Sequence, residues 1–321
     1  MKVLHFGAYW QKENDIVFAM VRDLAKVSDA LIVDTHLYDD KKSGYVMDDL
    51  SYNGVNPVRW LKDDVVDRYV KMFEPNVIVV NAGGMSLSRN MFSELKRLSI
   101  KTVGISLSDP DVYSYNGNIY ANLFDYYYTN SLFSYLNQYK KEVNIDILPF
   151  AASCDIHQPL DIPKKHDIII VGGYRPDRKD LAALLAQTFN VGIYGQGWPH
   201  MGAALYGNVN GVAHLIALNS GRMYISFSRT SAGYTNVKVG LFEAAACRLC
   251  LVTENFQEVY NYFEKDKEIV TYTDNRELLD KLSFIIRNKN ALDSISDRSY
   301  SKFLAEHTWE KRWTKILSKI G

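Results

Sequence analysis

Asn236-Val237-Lys238-Val239-Gly240-Leu241-Phe242-Glu243-Ala244-Ala245-Ala246-Cys247 sets one carboxylate in a run of otherwise small and apolar side chains. It reads as a short helix entering an apolar strand from Leu249 to Thr253. Just upstream, Val191 to Tyr194 reads as a strand closed by Gly195-Gln196-Gly197-Trp198, and Gly211 to Leu218 as a helix. A glycine-rich turn after an apolar run lets backbone N–H groups approach an anion, and a carboxylate near the head of the next helix is placed to hold a diol. Strand, turn and helix in this alternation indicate a parallel sheet covered on both faces.

The alternation continues in both directions. Asp167 to Val171 is a strand ending in Gly172-Gly173, Arg178 to Gln187 a helix and Met223 to Phe227 another strand. Gln257 to Phe263, Glu268 to Thr271 and Arg276 to Asn288 extend the pattern, and two helical stretches, Leu292 to Glu306 and Thr308 to Ile320, close the chain. The first half repeats the theme. Val3 to Gly7, Ala30 to Asp34, Val77 to Asn81, Thr102 to Ser106 and Asp125 to Thr129 read as strands; Asp15 to Val27, Val65 to Phe73 and Ser88 to Leu98 read as helices. Between the halves, Leu148 to Lys165 loses periodicity and carries three prolines, which reads as an interdomain linker. The expected fold is α/β: two Rossmann-like domains, residues 1–150 and 165–304, whose mostly parallel sheets face each other across a ligand cleft at their carboxyl ends. Residues 305–321 read as a terminal helix. Its Trp309 and Trp313 share one face and should be buried.

Composition sets limits. The 321 residues exceed what one small core needs, and 47% hydrophobic with 23% charged residues is ordinary for a globular protein. The 37 basic and 37 acidic residues balance, so net charge supplies no argument for nucleic acid or an anionic membrane as partner. No apolar run approaches the roughly 20 residues of a spanning helix, and Met1 to Phe6 opens like a buried strand without a cleavage signal, so membrane insertion is not expected and the cytoplasm is. Cys247-Arg248-Leu249-Cys250 has redox or half-zinc spacing, yet no second pair completes a metal set; buried thiols are expected at these two and at Cys154.

Four runs in order carry a resemblance: Leu148-Pro149-Phe150-Ala151-Ala152 to Pro159, Asp167 to Arg178, Tyr194-Gly195-Gln196-Gly197-Trp198, and Phe242-Glu243-Ala244-Ala245-Ala246-Cys247. Together they resemble the CgeB-like spore-protein glycosyltransferases of the GT-B fold, in register over the second half and more loosely in the first through Ser108-Asp109-Pro110 and Asp125 to Asn130. The resemblance implies an activated-sugar donor in the C-terminal domain, an acceptor in the N-terminal one, and a terminal helix, residues 305–321, that packs back toward the N-terminal domain. Three positions depart from the family. Relatives commonly carry Arg where this chain has Gly240 and Gly where it has Arg248, and the broader retaining group has a second glutamate where it has Thr235.

Within that frame the residues divide by task. Glu243 has Val239 and Cys247 four positions away on either side, hence no ion pair along its helix, and is expected to accept two ribose hydroxyls. A departing diphosphate needs cations and helix N-termini; Arg175 and Arg178 beside Gly172-Gly173, Arg229 after a strand, and Lys238 at a helix start are the candidates, with Gly195 and Gly197 in the turn. Tyr194 and Trp198 are candidates to border the base, with a core role as the alternative. Gly7, Gly83 and Gly84 are candidates for the acceptor or diphosphate wall. Asp109, ending a strand before a proline, is expected to face the cleft mouth as the acceptor's base. His5 is expected in the core, and Asp15 as a helix cap.

The reading is a metal-independent transferase moving a sugar from a nucleotide, UDP foremost, to a hydroxyl of a glycan, protein or small molecule, a nucleic-acid base ranking behind these. No metal or cofactor is expected beyond the nucleotide-sugar co-substrate. Alternatives are an epimerase or phosphorylase on the same scaffold, or a catalytically silent sugar-nucleotide-binding coat or assembly protein. Asp109-Pro110-Asp111 also spells the D-x-D by which GT-A enzymes hold a divalent ion, which requires a different fold.

Overall fold

The first strand of each half is largely apolar and lies inside a six-stranded sheet, second from one edge in the first half and third in the second. The computed structural model describes residues 1–7, 16–35, 45–47, 59–81, 85–114 and 116–321. In the first half, β1 (Lys2–Gly7), α1 (Ile16–Val27), β2 (Asp29–Asp34), β3 (Tyr45–Met47), β4 (Arg59–Leu61), α2 (Asp63–Phe73) and β5 (Val77–Asn81) are followed by β6 (Met85–Ser86), α3 (Arg89–Arg97), β7 (Lys101–Ser106), α4 (Gly117–Tyr120), β8 (Tyr126–Thr129) and β9 (Ile145–Ile147). The main sheet, order β2-β1-β5-β7-β8-β9, is parallel throughout.

The second half runs β10 (His166–Val171), α5 (Pro176–Thr188), β11 (Val191–Tyr194), β12 (Ala204–Tyr206), α6 (Val212–Asn219), β13 (Gly221–Ser226), α7 (Val239–Ala246), β14 (Cys250–Glu254), β15 (Val270–Tyr272), α8 (Asn275–Arg287), α9 (Lys289–Glu306) and α10 (Trp309–Ile320). Its sheet, order β12-β11-β10-β13-β14-β15, is again wholly parallel. Counted from β10 this is the order 3-2-1-4-5-6 of doubly wound nucleotide-binding sheets, whose ligand crevice opens where the order reverses, here between β10 and β13. Ile169 packs into one apolar cluster and Ile168 and Ile170 into another, so successive side chains of β10 fill cores on opposite faces.

Two features differ from the sequence reading. The short strands β9 and β12 and a three-stranded β3-β4-β6 sheet join the architecture. The segment from 148 to 165, read as a linker, packs over its first part, where Phe150, Ala151, Ala152, Ser153 and His157 are buried, and is largely exposed from 158 to 165. Ala152 and Thr308 form a parallel bridge, and the Ser153 hydroxyl donates to Asp23 at 2.9 Å. Immediately after the bridge, α10 lies on α1. Trp309 and Trp313 are 1% and 0% exposed, in a cluster with Val3, Met20 and Leu24, and the Trp313 indole donates to the Met20 carbonyl at 2.6 Å. Among the described residues no helix is long and apolar enough to cross a membrane.

Candidate functional site

A cavity of about 440 Å³ opens at the β10/β13 switch point. Val171 and Gly172 end β10 on one side, Ile225 and Ser226 end β13 on the other, and Lys238, Val239 and Gly240 bring in the first turn of α7. The remaining wall comes from His214 and Leu218 of α6, from Val209 and Asn210, and from Ile16 at the head of α1 in the first half. A larger depression, about 700 Å³, lies along α8 beside Ser283, Phe284 and Arg287, away from the carboxyl ends of both sheets. The switch-point cavity brings Arg178, Lys238 and Glu243 together where the order of the second sheet reverses.

Glu243 sits one turn into α7, buried to 7% exposure yet lining this cavity. Its carboxylate lies between two imidazoles, His157 Nε2 at 3.7 Å from Oε1 and His214 Nε2 at 3.7 Å from Oε2. Burial holds the His157 ring below the ordinary histidine range, with Glu243 pulling the other way. Neither histidine was singled out in the sequence. His157 arrives from the segment read as linker and His214 from the outer wall of α6, so only tertiary structure joins them to Glu243.

Lys238 caps α7, and burial brings its ammonium down to about 8, against the pull of Asp111. A half-buried amine at a helix N-terminus, where the first N–H groups have no intrahelical partner, makes an anion site. Arg178 completes it from the opposite wall, donating to the Gly173 carbonyl at 2.9 Å and lying 5.2 Å over the Phe227 ring. Burial draws its pKa downward. Gly172, at φ 140°, makes the turn that lets the chain skirt the cavity. Glu258, in the same half, is buried and pushed up to about 7, chiefly by desolvation, while accepting the N–H of Leu132 from the first half at 3.5 Å.

Gly240 explains one departure from the family. A Cβ there would stand 2.0 Å from the Tyr224 hydroxyl, so Tyr224 of β13 occupies the space a side chain would need. Arg248 explains another: its φ of 59° is the left-handed conformation in which relatives place Gly, and its guanidinium pairs with Asp297.

Several expected site residues are placed elsewhere. Arg175 is spent on the protein itself, gripping Asp177 and the carbonyls of Arg229 and Thr230. Arg229 is exposed and does not line the cavity. Tyr194 stacks on Tyr206 at 4.5 Å and shares a hydrogen bond with Ser220 at 2.8 Å, while Trp198 donates to the Gly172 carbonyl at 2.9 Å; both take the core role. Gly195 packs against the Gly172 carbonyl, which a Cβ would meet at 2.1 Å, and Gly197 turns at φ 81°. These two glycines let the β11 turn nest against the β10 turn. Gly7 is buried against His5, Asn81 and Val17, and His5 is a core histidine as expected. Gly83, Gly84 and Asp15 lie outside the described residues.

Asp109 departs most from expectation. Its carboxylate turns away from the cleft mouth into the first half, 2% exposed, accepting from Thr129 Oγ1 at 2.7 Å and from the Tyr139 hydroxyl at 2.9 Å. Burial raises its pKa. Only its carbonyl reaches across, accepting from the Asn236 amide at 3.2 Å. Cys247 and Cys250 are buried free thiols, both pushed up to about 12 by desolvation, and Cys154 is a free, partly exposed thiol.

Residues 176–318 match the protein family described as glycosyl transferase-like. No curated protein matches the chain in sequence. In structure it is similar to sucrose-phosphate synthase from Thermosynechococcus elongatus, with a TM-score of 0.66 at 11% identity over 99% of this chain and 98% of that one. It is equally similar to the Anabaena HepE protein solved with UDP and glucose, at 0.66 and 13% identity over 100% and 99% of the two chains. A glycosyltransferase from Rickettsia africae follows at 0.63 and 12%, covering 99% and 97%. These likenesses establish the GT-B fold, which removes the GT-A reading of Asp109-Pro110-Asp111. The domain over residues 176–318 is thus glycosyl transferase-like, and the whole chain shares the GT-B fold of these structures.

Proposed function

We propose that the protein transfers a sugar from a nucleoside-diphosphate donor to an acceptor hydroxyl without metal assistance, holding the donor in the second half and the acceptor against the first. The observation that carries this reading is Glu243: a buried carboxylate on the wall of the switch-point cavity, in the same pocket as Lys238, Arg178 and the α7 N-terminus. Glu243 accepts the ribose diol. Lys238, Arg178 and the first turn of α7 meet the diphosphate, whose charge grows as the glycosidic bond breaks, so their contribution falls mainly on the transition state. UDP is the favoured nucleotide, because HepE, of the same fold, was solved with UDP and with UDP-glucose. Asp109 is not retained as the acceptor's base, given its inward orientation. Asp111 and Glu258, whose charges bear on Lys238, take its place as candidates. The motif order favours the CgeB-like group as the subfamily.

The test is nucleotide binding and turnover in three proteins. Glu243→Ala removes both diol contacts, about 3 kcal/mol or more than a hundredfold in UDP affinity, and Glu243→Gln, which keeps the shape but not the charge, falls between it and wild type. Turnover on a UDP-sugar panel survives EDTA. Equal UDP affinity in all three proteins, measured by calorimetry, overturns the assignment of Glu243.

A further inference from the structure

We propose that His157, His214 and Glu243 form a site for one divalent transition-metal ion, Zn²⁺ foremost, and that this ion and the nucleotide compete for the Glu243 carboxylate. One ligand atom from each of the three residues lies within 4.8 Å of the other two, and each histidine Nε2 stands 3.7 Å from a carboxylate oxygen. Ligands held at about 2.0–2.2 Å by a tetrahedral Zn²⁺ stand roughly 3.4 Å apart, so adjustments of an ångström or less bring all three onto one ion. Two imidazoles and a carboxylate are nitrogen and oxygen donors of the kind Zn²⁺ prefers, and three protein ligands leave a fourth position open. That position faces the cavity, because His214 and Glu243 both line it. The ring planes stand 72° apart with centroids 5.8 Å apart, which brings the imidazoles together edge-on rather than stacked. The three donors come from three separate elements, so the site closes only in the folded chain.

The metal claim stands apart from the proposed function, whereas the competition rests on the reading of Glu243 as the ribose contact. Zn²⁺ on Glu243 takes at least one carboxylate oxygen, turns the group toward the two imidazoles and fills the space beside it, so the carboxylate no longer meets both hydroxyls of the diol. Zn²⁺ therefore inhibits transfer, and a chelator leaves turnover intact.

The experiment has two arms. Nucleotide-free protein is titrated with Zn²⁺ against a chromophoric chelator and, separately, with Co²⁺ while its visible spectrum is followed. One ion per chain is expected, with a dissociation constant in the micromolar range or tighter. His214→Ala and Glu243→Gln each weaken it about tenfold or more. The buried His157 is tested as His157→Gln, with circular dichroism confirming the fold. The cobalt spectrum carries no thiolate charge-transfer band, which separates this site from Cys247 and Cys250. Unchanged Zn²⁺ affinity in the three variants, or a thiolate band, overturns the metal site whatever UDP does. In the second arm UDP is added with free Zn²⁺ fixed by a metal buffer. The apparent Zn²⁺ dissociation constant rises in proportion to UDP beyond its own dissociation constant. UDP binding that leaves Zn²⁺ affinity unchanged overturns the shared carboxylate, and failure of UDP to bind at all is the failure of the donor reading alone.

Discussion

Lys238 is the residue whose environment makes the sharpest pH prediction. A lysine with an ordinary pKa near 10.5 is charged throughout the neutral range, but burial brings this one to about 8. Because its pKa is lower folded than unfolded, its charged form costs stability. That cost is absent above the unfolded value and reaches its full size as pH falls through about 8. Binding a diphosphate works the other way, since it needs the charged form. UDP affinity is therefore expected to be flat below pH 8 and to weaken above it, approaching tenfold per pH unit, with protons taken up on binding. Lys238→Arg stays charged and should flatten that limb in calorimetry across the range; an identical limb in both proteins shows that Lys238 does not meet the phosphates. Glu243, Lys238 and Arg178 were legible in the sequence because their meaning is local: a lone carboxylate in an apolar helix, a cation at its head, a cation behind a glycine turn. His157 and His214 were not, because nothing near either one in sequence marks it. The same limit misdirected Asp109 and left Tyr194 and Trp198 between base and core, because their neighbours, Tyr139, Tyr206 and the Gly172 carbonyl, are decided by packing.

At the scale of elements, α7 shows how the pocket was refitted around one glycine. Its eight residues run between a lysine cap and Cys247, and the next residue, Arg248, takes the left-handed turn usually left to glycine. At its head the helix comes close enough to β13 that the Tyr224 hydroxyl fills the position of a Gly240 side chain. Gly240→Ala is expected to destabilise the protein by about 1–3 kcal/mol through overpacking, despite the better helix propensity of alanine. Adding Tyr224→Phe should recover part of that loss, because the nearest clash is with the hydroxyl at 2.0 Å and the ring carbon behind it is at 2.9 Å. Denaturant melts of the two single mutants and the double mutant decide the matter, and strictly additive losses would show that the two groups do not meet. The long elements were readable for a related reason. β1, β5, β7, β10, β13 and β14 are apolar runs that nothing but a doubly covered sheet accommodates. β9 and β12 are three residues each, and β12 is exposed along its whole length, so neither carries enough apolar character to stand out.

For the whole molecule, the chain's end determines which half the last helix stabilises. α9 packs in the second half against α7 and β14, then His307 and Thr308 bridge to Ala152, and α10 crosses to α1. Arg312 fixes the crossing by donating to the carbonyls of Pro149 and Phe150, so the strap and the segment joining the two sheets are tied at one point. The same segment carries His157 to within 3.7 Å of the Glu243 carboxylate. The sequence marked a face to be buried through Trp309 and Trp313, the resemblance supplied the direction of the return, and neither pointed to the bridge that anchors it. Trp313→Ala removes a fully buried ring and its hydrogen bond to Met20, and a core substitution of this kind costs about 3–5 kcal/mol. The loss should fall on the first half. In hydrogen exchange, the amides of β1 and α1 are expected to lose protection first and most, while those of β10 and β13 hold, because the tryptophan packs with Val3, Ala19, Met20 and Leu24 and not with the second sheet. Loss of protection concentrated in β10 and β13 instead would mean that α10 belongs energetically to the half that encodes it. If the first half does loosen, UDP binding should change little while transfer to an acceptor falls, which separates the duties of the two halves in a single variant.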